Sequence, residues 1–150
     1  MKKHLTIVVL LFLAVPGFGQ TTQSAPVANA EEKGIHFFHG TWAELMAEAK
    51  KENKPIFVDA YASWCGPCRY MAANIFTDKE VGEYYNKHFV CYKFDMEKGE
   101  GPNFARQNKV EAYPTLFYFD KSGTMKNRVL GLQQKESLLS EGKKAVAATK

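Results

Sequence analysis

The sequence has few cysteines and no apolar segment long enough to cross a membrane. Its 150 residues include only three cysteines, which is too few for the disulfide framework of a small secreted scaffold. A chain of this length can bury one core without such cross-links. Its apolar run at residues 5–15 is shorter than the ~20 residues that a spanning helix requires. No internal repeat is visible, so we expect a single globular domain.

The sequence also lacks a strong excess of charge. Its formal net charge is +4, and basic and acidic side chains alternate in segments such as residues 48–54, as on a solvated helix face. Removal of Lys2 and Lys3 with a signal peptide would lower the charge to +2. A basic stripe that follows phosphates is absent from the sequence, so we do not predict nucleic-acid binding.

The first residues have the pattern of a secretory signal peptide. Lys2 and Lys3 precede the apolar run at residues 5–15, and the small residues Gly17 and Gly19 follow it. This order predicts a signal peptide at residues 1–19, with an uncleaved anchor as the alternative. No cysteine follows the run to accept a lipid. We therefore expect a periplasmic or otherwise extracytoplasmic protein without stable membrane insertion after cleavage.

Beyond the signal, the patterns predict an α/β protein. Residues 20–33 are polar and small, as in a flexible leader, and residues 34–150 are expected to fold as one domain. The patterns predict a sheet that is parallel at first and antiparallel at the terminal hairpin. Apolar periodicity and turn residues predict strands at residues 35–38, 56–62, 89–95, 115–119 and 124–130, and helices at residues 41–54, 66–76, 78–88, 103–107 and 135–147.

The chemistry-bearing motif is Cys65-Gly66-Pro67-Cys68, at the junction of a predicted strand and a predicted helix. A helix N-terminus favours a thiolate over a thiol, which predicts that Cys65 is the nucleophile. The three-residue spacing brings Cys68 onto the same helix face, where it can resolve a mixed disulfide. The third cysteine, Cys91, lies in a buried strand pattern and is predicted to be a core residue.

A carboxylate, Asp59, stands in the middle of the apolar strand that precedes this motif. A buried carboxylate must be neutralised or paired, and Lys93, in the neighbouring predicted strand, is its candidate partner. We interpret Asp59 as functional, and the alternative is an ion pair that only orders the interior.

Residues 59–68, with the sequence DAYASWCGPC, are similar to the active-site segment of thioredoxins. The resemblance covers residues 54–146 and includes the aromatic Trp64, the Pro114-Thr115 pair and Gly131. Residues 76–78 and 117–120 look most like exported members, especially the C-terminal thioredoxin-like domain of membrane disulfide reductases. The resemblance implies a thioredoxin fold, with a central mixed sheet flanked by helices.

The same resemblance implies roles for individual residues. Asp59 would relay a proton for the resolving thiol of Cys68, and Pro114 would form a cis peptide bond opposite the dithiol. The backbone of Tyr113 would then pair with an extended client segment, although thioredoxins commonly have a small aliphatic residue there. The implied client-binding set is Trp64, Gly66, Pro67, Tyr113, Pro114 and Gly131.

The predicted activity is thiol:disulfide oxidoreduction with protein clients, without a cofactor other than the redox-active disulfide Cys65–Cys68. The Gly-Pro insert resembles reducing thioredoxins, and a reductant outside the cytoplasm needs an electron donor, which the family suggests is a membrane thiol-transfer protein. A disulfide oxidase or isomerase is the alternative, as is a non-catalytic disulfide-bonded binding domain.

A metal or haem site is a further alternative, and it is the weakest. Cys65 and Cys68 would need His36 and His39 to complete a zinc set, but the histidines lie on a predicted strand and turn. Haem attachment would require a histidine where Arg69 stands. We therefore predict no metal site.

Overall fold

The computed structural model describes residues 33–149. The predicted signal peptide at residues 1–19 and the predicted leader, except for residue 33, lie outside the described residues. Among the helices of residues 33–149, none has the length and apolar character needed to span a membrane.

The described residues form a four-stranded sheet flanked by five α-helices. The strand order is β2-β1-β3-β4, with β1 parallel to β2 and the other neighbours antiparallel. This arrangement confirms the predicted thioredoxin fold. The elements are α1 (Trp42–Glu52), β1 (Ile56–Tyr61), α2 (Gly66–Tyr70), a π-helical segment (Met71–Ile75), α3 (Lys79–His88), β2 (Val90–Asp95), α4 (Gly101–Gln107), β3 (Thr115–Phe119), β4 (Met125–Leu130) and α5 (Lys135–Ala148).

Side chains that alternate along β1 divide the core between the two faces of the sheet. Ile56 and Val58 belong to the cluster that includes Leu45 of α1 and Phe104 of α4. Phe57 belongs to the cluster on the opposite face, which includes side chains of α3 and α5. Asp59 follows Phe57 by two residues, so the two-residue period of the strand places it on the α3 and α5 face.

The start of α1 forms as the sequence predicts. Thr41 and Glu44 make a reciprocal capping box, which satisfies backbone N–H groups that have no partner within the helix. Trp42 then stacks on Phe94 and meets the ring of Phe104 edge to face. These contacts anchor α1 to the core.

The predicted strand at residues 35–38 is wrong. Only Phe37 forms an isolated parallel bridge, with Cys91. The amide of Ile35 donates to the carbonyl of Phe76 at 2.7 Å, and the amide of His36 donates to the Asn86 side chain at 2.8 Å. Because these donors bond outside the sheet, a continuous ladder with β2 cannot form.

The predicted helix at residues 66–76 is also not continuous. After α2, residues Met71–Ile75 adopt a π-helical conformation, and the amide of Phe76 donates to the carbonyl of Met71 at 2.8 Å. This hydrogen bond spans five residues instead of four, as in a π-bulge. Helical periodicity alone predicts a uniform helix and does not reveal the wider turn.

Candidate active site

The two cysteines of the motif lie where β1 leads into α2. Cys65 is the N-cap of α2, and its Sγ accepts a hydrogen bond from the backbone N–H of Cys68 at 3.1 Å. A disulfide joins the two residues, with 5.3 Å between their Cα atoms. Both residues are 3% exposed, so exposure does not distinguish the nucleophile from the resolving thiol.

The hydrogen-bond environment distinguishes the two sulfurs. Cys65 Sγ accepts the hydrogen bond from the Cys68 amide at the start of the helix, and this bond stabilises a thiolate on Cys65. Pro67, within the first turn, has no N–H to add a further donor. The stabilisation of a Cys65 thiolate therefore rests mainly on one backbone amide and the helix end.

The predicted client-binding residues come together beside the disulfide. Trp64 is 63% exposed, and its ring meets that of Tyr113 edge to face at 5.8 Å. Tyr113 also packs against the cluster that contains both cysteines. The Tyr113–Pro114 peptide bond is cis, as predicted, and the amide of Gly131 donates to the carbonyl of Pro114 at 2.8 Å.

Gly66 and Pro67 occupy the first two positions of α2, directly after Cys65. A Cβ atom added at Gly66 would have no atom within 4 Å. The backbone of the Gly-Pro insert is thus open to an approaching chain. Its position agrees with the predicted client-binding role, which remains a prediction.

Sequence reasoning missed Glu97, whose Oε1 accepts a hydrogen bond from the indole N–H of Trp64 at 2.8 Å. Burial raises the pKa of Tyr113, and the nearby carboxylates of Glu97 and Asp95 raise it further. A signal did exist, because Trp64 and Glu97 follow the carboxyl ends of neighbouring parallel strands, which meet at one edge of a sheet.

Two leucines that sequence reasoning also missed flank Gly131. Leu130 is 57% exposed and Leu132 is 37% exposed. Since Gly131 bonds to Pro114, these leucines extend the apolar surface around the Pro114 loop.

The predicted partnership of Asp59 and Lys93 is confirmed. The two residues are directly opposed in the parallel register of β1 and β2, and Lys93 Nζ donates to Asp59 Oδ2 at 2.5 Å. Asp59 is 0% exposed, and its Oδ1 has no hydrogen-bond partner among the described residues. Burial raises the pKa of Asp59 above the ordinary value of 3.8, while Lys93 opposes the rise.

A cleft of about 120 Å³ is lined by both Cys68 and Lys93, the cationic member of the ion pair. Its lining includes Lys93 and Cys68 but not Cys65, and its volume is sufficient for water molecules. The remaining lining residues are Tyr61, Ala62, Ser63, Arg69 and Ala72. The arrangement offers a route for a proton between the Cys68 thiol and the Asp59–Lys93 pair, in agreement with the predicted relay.

Replacing Asp59 with asparagine is expected to raise the melting temperature at pH 8 and to slow disulfide exchange. Because the folded pKa is raised, the wild-type protein keeps its full stability below the unfolded pKa of about 3.9 and loses part of it as pH rises through the folded value. Asparagine has nearly the same volume and does not ionise. Thermal melts from pH 4 to pH 8 should therefore show a stability gain that grows with pH.

Asp120→Asn provides a matched control, since the Asp120 carboxylate accepts hydrogen bonds from Ser122 and Thr124 at a turn, and these bonds lower its pKa. Its loss should destabilise the protein at pH 8, opposite to Asp59→Asn. A melting temperature of Asp59→Asn below that of the wild type at pH 8 would instead identify Asp59–Lys93 as an ordinary stabilising ion pair.

The remaining candidates lie apart from the dithiol. His36 lines a separate cleft beside β2, together with Cys91 and Asn86. Among residues 33–149, no three His, Cys, Asp or Glu side chains form a group that could hold a metal ion. Cys91 is 2% exposed, and burial raises the pKa of its thiol, which confirms it as a core residue.

Comparison with known proteins identifies the family. The profile of the thioredoxin-like domain matches residues 42–145, which include the dithiol, Asp59, Lys93 and Pro114. The chain belongs to the thioredoxin-like family. As a family member with a Cys65–Cys68 disulfide, it is a thiol:disulfide oxidoreductase.

Two relatives match most of the thioredoxin-like domain. A thioredoxin-like protein of Synechocystis sp. is 35% identical over 100 residues, which cover 67% of this chain and 87% of the relative. The solution structure of a putative disulphide-isomerase from Bacteroides thetaiotaomicron has a TM-score of 0.69 and 39% identity. That match covers 76% of this chain and 94% of the other.

The resemblance to the C-terminal domain of membrane disulfide reductases is confirmed at the level of the fold. The oxidised DsbD C-terminal domain of Neisseria meningitidis has a TM-score of 0.61 and 21% identity to this thioredoxin-like chain. The match covers 73% of this chain and 99% of that domain.

Proposed function

We propose that this thioredoxin-like protein is a periplasmic reductase that exchanges disulfides with protein clients through Cys65 and Cys68. The observation that carries the proposal is the placement of the two sulfurs. Cys65 lies at the start of α2 with one amide donor, and Cys68 lines the cleft that also contains Lys93. One sulfur is thus set up to attack, and the other has a route for its proton.

The reaction follows from this placement. The Cys65 thiolate attacks a client disulfide, forms a mixed disulfide and releases one client sulfur as a thiolate, which takes up a proton. Cys68 then transfers its proton towards Asp59, attacks Cys65 Sγ and closes the Cys65–Cys68 bond. This step releases the second client thiolate. The client has gained two electrons and the protein dithiol has lost two.

The location and the electron donor belong to the same proposal. Lys2 and Lys3, followed by the apolar run at residues 5–15, support export by a signal peptide. An exported reductant must be reduced again after each turnover. The similarity to the DsbD domain supports a membrane thiol-transfer protein as the donor.

Reduction of insulin disulfides tests the proposal. Wild-type protein with dithiothreitol should precipitate the insulin B chain much faster than dithiothreitol alone, while Cys65→Ser should give only the background rate. A wild-type rate equal to the background would overturn the enzyme assignment and would leave a disulfide-bonded binding domain.

A disulfide isomerase is the second candidate, because the 39% identical structure from Bacteroides thetaiotaomicron is named a putative disulphide-isomerase. Reactivation of scrambled ribonuclease distinguishes the two activities. An isomerase restores ribonuclease activity in a glutathione buffer faster than it reduces insulin. A reductase has the opposite preference.

A further inference from the structure

Three aromatic rings surround the ammonium group of Lys93. Its Nζ lies 4.7 Å from the ring centroid of Tyr61, 5.1 Å from that of Phe76 and 5.3 Å from that of Phe37. All three distances are within the range of cation–π attraction. The rings come from three separate parts of the chain, namely β1, the residue after the π-helical segment, and the segment beside β2. We call these three residues the aromatic cage.

The cage replaces part of the water that usually surrounds a lysine ammonium. An ammonium group has three N–H donors, and within the described residues Lys93 makes one hydrogen bond, to Asp59 Oδ2. Its side chain is 28% exposed. The faces of the rings attract the positive charge. They therefore stabilise the ammonium in its position beside Asp59, although few hydrogen-bond acceptors surround it.

We propose that the aromatic cage, above all Tyr61, positions the Lys93 ammonium at Asp59 and thereby sets the pH range in which Cys68 completes the exchange. This inference rests on the proposed function. Lys93 and Cys68 line the same cleft, so the position of the ammonium determines the electrostatic environment of the proton that Cys68 gives up. Without the ring of Tyr61, the flexible lysine side chain can move to solvent.

Loss of the ammonium from this position has a definite direction. Lys93 is the group that opposes the effect of burial on the pKa of Asp59. If Lys93 leaves, the Asp59 carboxylate loses its counter-charge and its pKa rises further. Asp59 is then ionised, and able to accept the Cys68 proton, only at higher pH. The rising limb of the pH–rate profile therefore moves to higher pH.

Other charged groups face this site, and the test variants must leave them unchanged. Tyr61 itself stays neutral in the assay range, since burial raises its pKa. The titratable or charged side chains near it are Asp59 on β1, Lys93 and Asp95 on β2, Lys98 on the loop after β2, and Cys68 and Arg69 on α2.

The test compares Tyr61→Leu with Tyr61→Phe, which keeps the ring. The measurement is the rate at which Cys68 resolves a preformed mixed disulfide between Cys65 and a peptide, from pH 5.5 to pH 9.5. Tyr61→Phe should keep the wild-type midpoint. Tyr61→Leu should move the midpoint upward by about 0.5 pH unit or more, which is a loss of about threefold in rate below the midpoint.

A double-mutant cycle ties the effect to the lysine. In a Lys93→Gln background, where no ammonium remains, Tyr61→Leu should cause no additional shift. Tyr84→Leu is the control for loss of a partly buried tyrosine, because Tyr84 packs on His88 of α3 and should leave the midpoint unchanged. Phe37→Leu, which removes a partly buried ring, provides an independent test if Tyr61→Leu does not fold.

The outcomes separate this inference from the proposed function. A uniform loss of rate at every pH, or a Tyr61→Leu shift that persists with Lys93→Gln, would show that the rings only fill space and would overturn the inference. If the wild type does not exchange disulfides at all, that result overturns the proposed function itself.

Discussion

Replacing Cys65 with serine should abolish disulfide exchange, whereas replacing Cys68 with serine should trap clients as stable mixed disulfides. Cys65 Sγ accepts the amide hydrogen bond at the helix start, so we expect it to be the sulfur that attacks. Cys68 lines the cleft that also contains Lys93, and we expect it to act only after the mixed disulfide has formed. Without the nucleophile, we expect the exchange rate to fall by more than about a thousandfold.

Non-reducing electrophoresis of each variant after incubation with a disulfide-bonded client provides the measurement. Cys91→Ala is the matched control, because the buried Cys91 thiol should take no part and its removal should leave both results unchanged. Adducts on Cys68 in the Cys65→Ser variant would reverse the assignment of roles. The same Cys68→Ser variant, expressed in cells, would identify envelope clients and the electron donor by the proteins it traps.

The reduction potential of the Cys65–Cys68 couple should lie nearer to that of thioredoxin, about −270 mV, than to that of a strong periplasmic oxidase, about −120 mV. An oxidase over-stabilises its thiolate, which favours the reduced form. Here the insert is Gly66-Pro67, and it adds neither a histidine nor, at Pro67, an N–H donor. The carboxylate of Glu97, which is hydrogen-bonded to the indole of the adjacent Trp64, further disfavours a negative charge on Cys65.

Equilibration with glutathione buffers, followed by counting of free thiols, measures this potential. The two reference values differ by about 150 mV, which is about five orders of magnitude in the equilibrium constant of a two-electron couple. The measurement therefore decides clearly between the alternatives. A value near that of the oxidase would remove the reductase assignment and leave the dithiol chemistry in place. Glu97→Gln should shift the reduction potential slightly upward, because it removes a negative charge that disfavours the Cys65 thiolate.

Local sequence patterns determined most of the secondary structure. The helices predicted to start at Thr41 and Asp78 and the terminal hairpin form as predicted, because each depends on side chains only a few residues apart. The segment at residues 35–38 and the π-helical turn differ from prediction. In the first case, backbone donors bond to Phe76 and Asn86, and no local pattern encodes such distant partners.

The sequence also determined the chemistry of the site. The C-x-x-C spacing and the carboxylate in an apolar strand are local features, and strand alternation with parallel pairing was sufficient to suggest Lys93 as the partner of Asp59. The cis bond before Pro114 followed from resemblance and not from local physics, since only about 5–6% of such bonds are cis in folded proteins.

Only the tertiary structure decided what surrounds these groups. Glu97 reaches the indole of Trp64 from 33 residues away, and the aromatic cage around Lys93 joins Phe37, Tyr61 and Phe76 from three parts of the chain. Short-range patterns fix the residue types and the faces of helices and strands on which they lie. Which aromatic ring or carboxylate meets a given charge depends on the packing of distant segments, and that packing is settled by the fold as a whole.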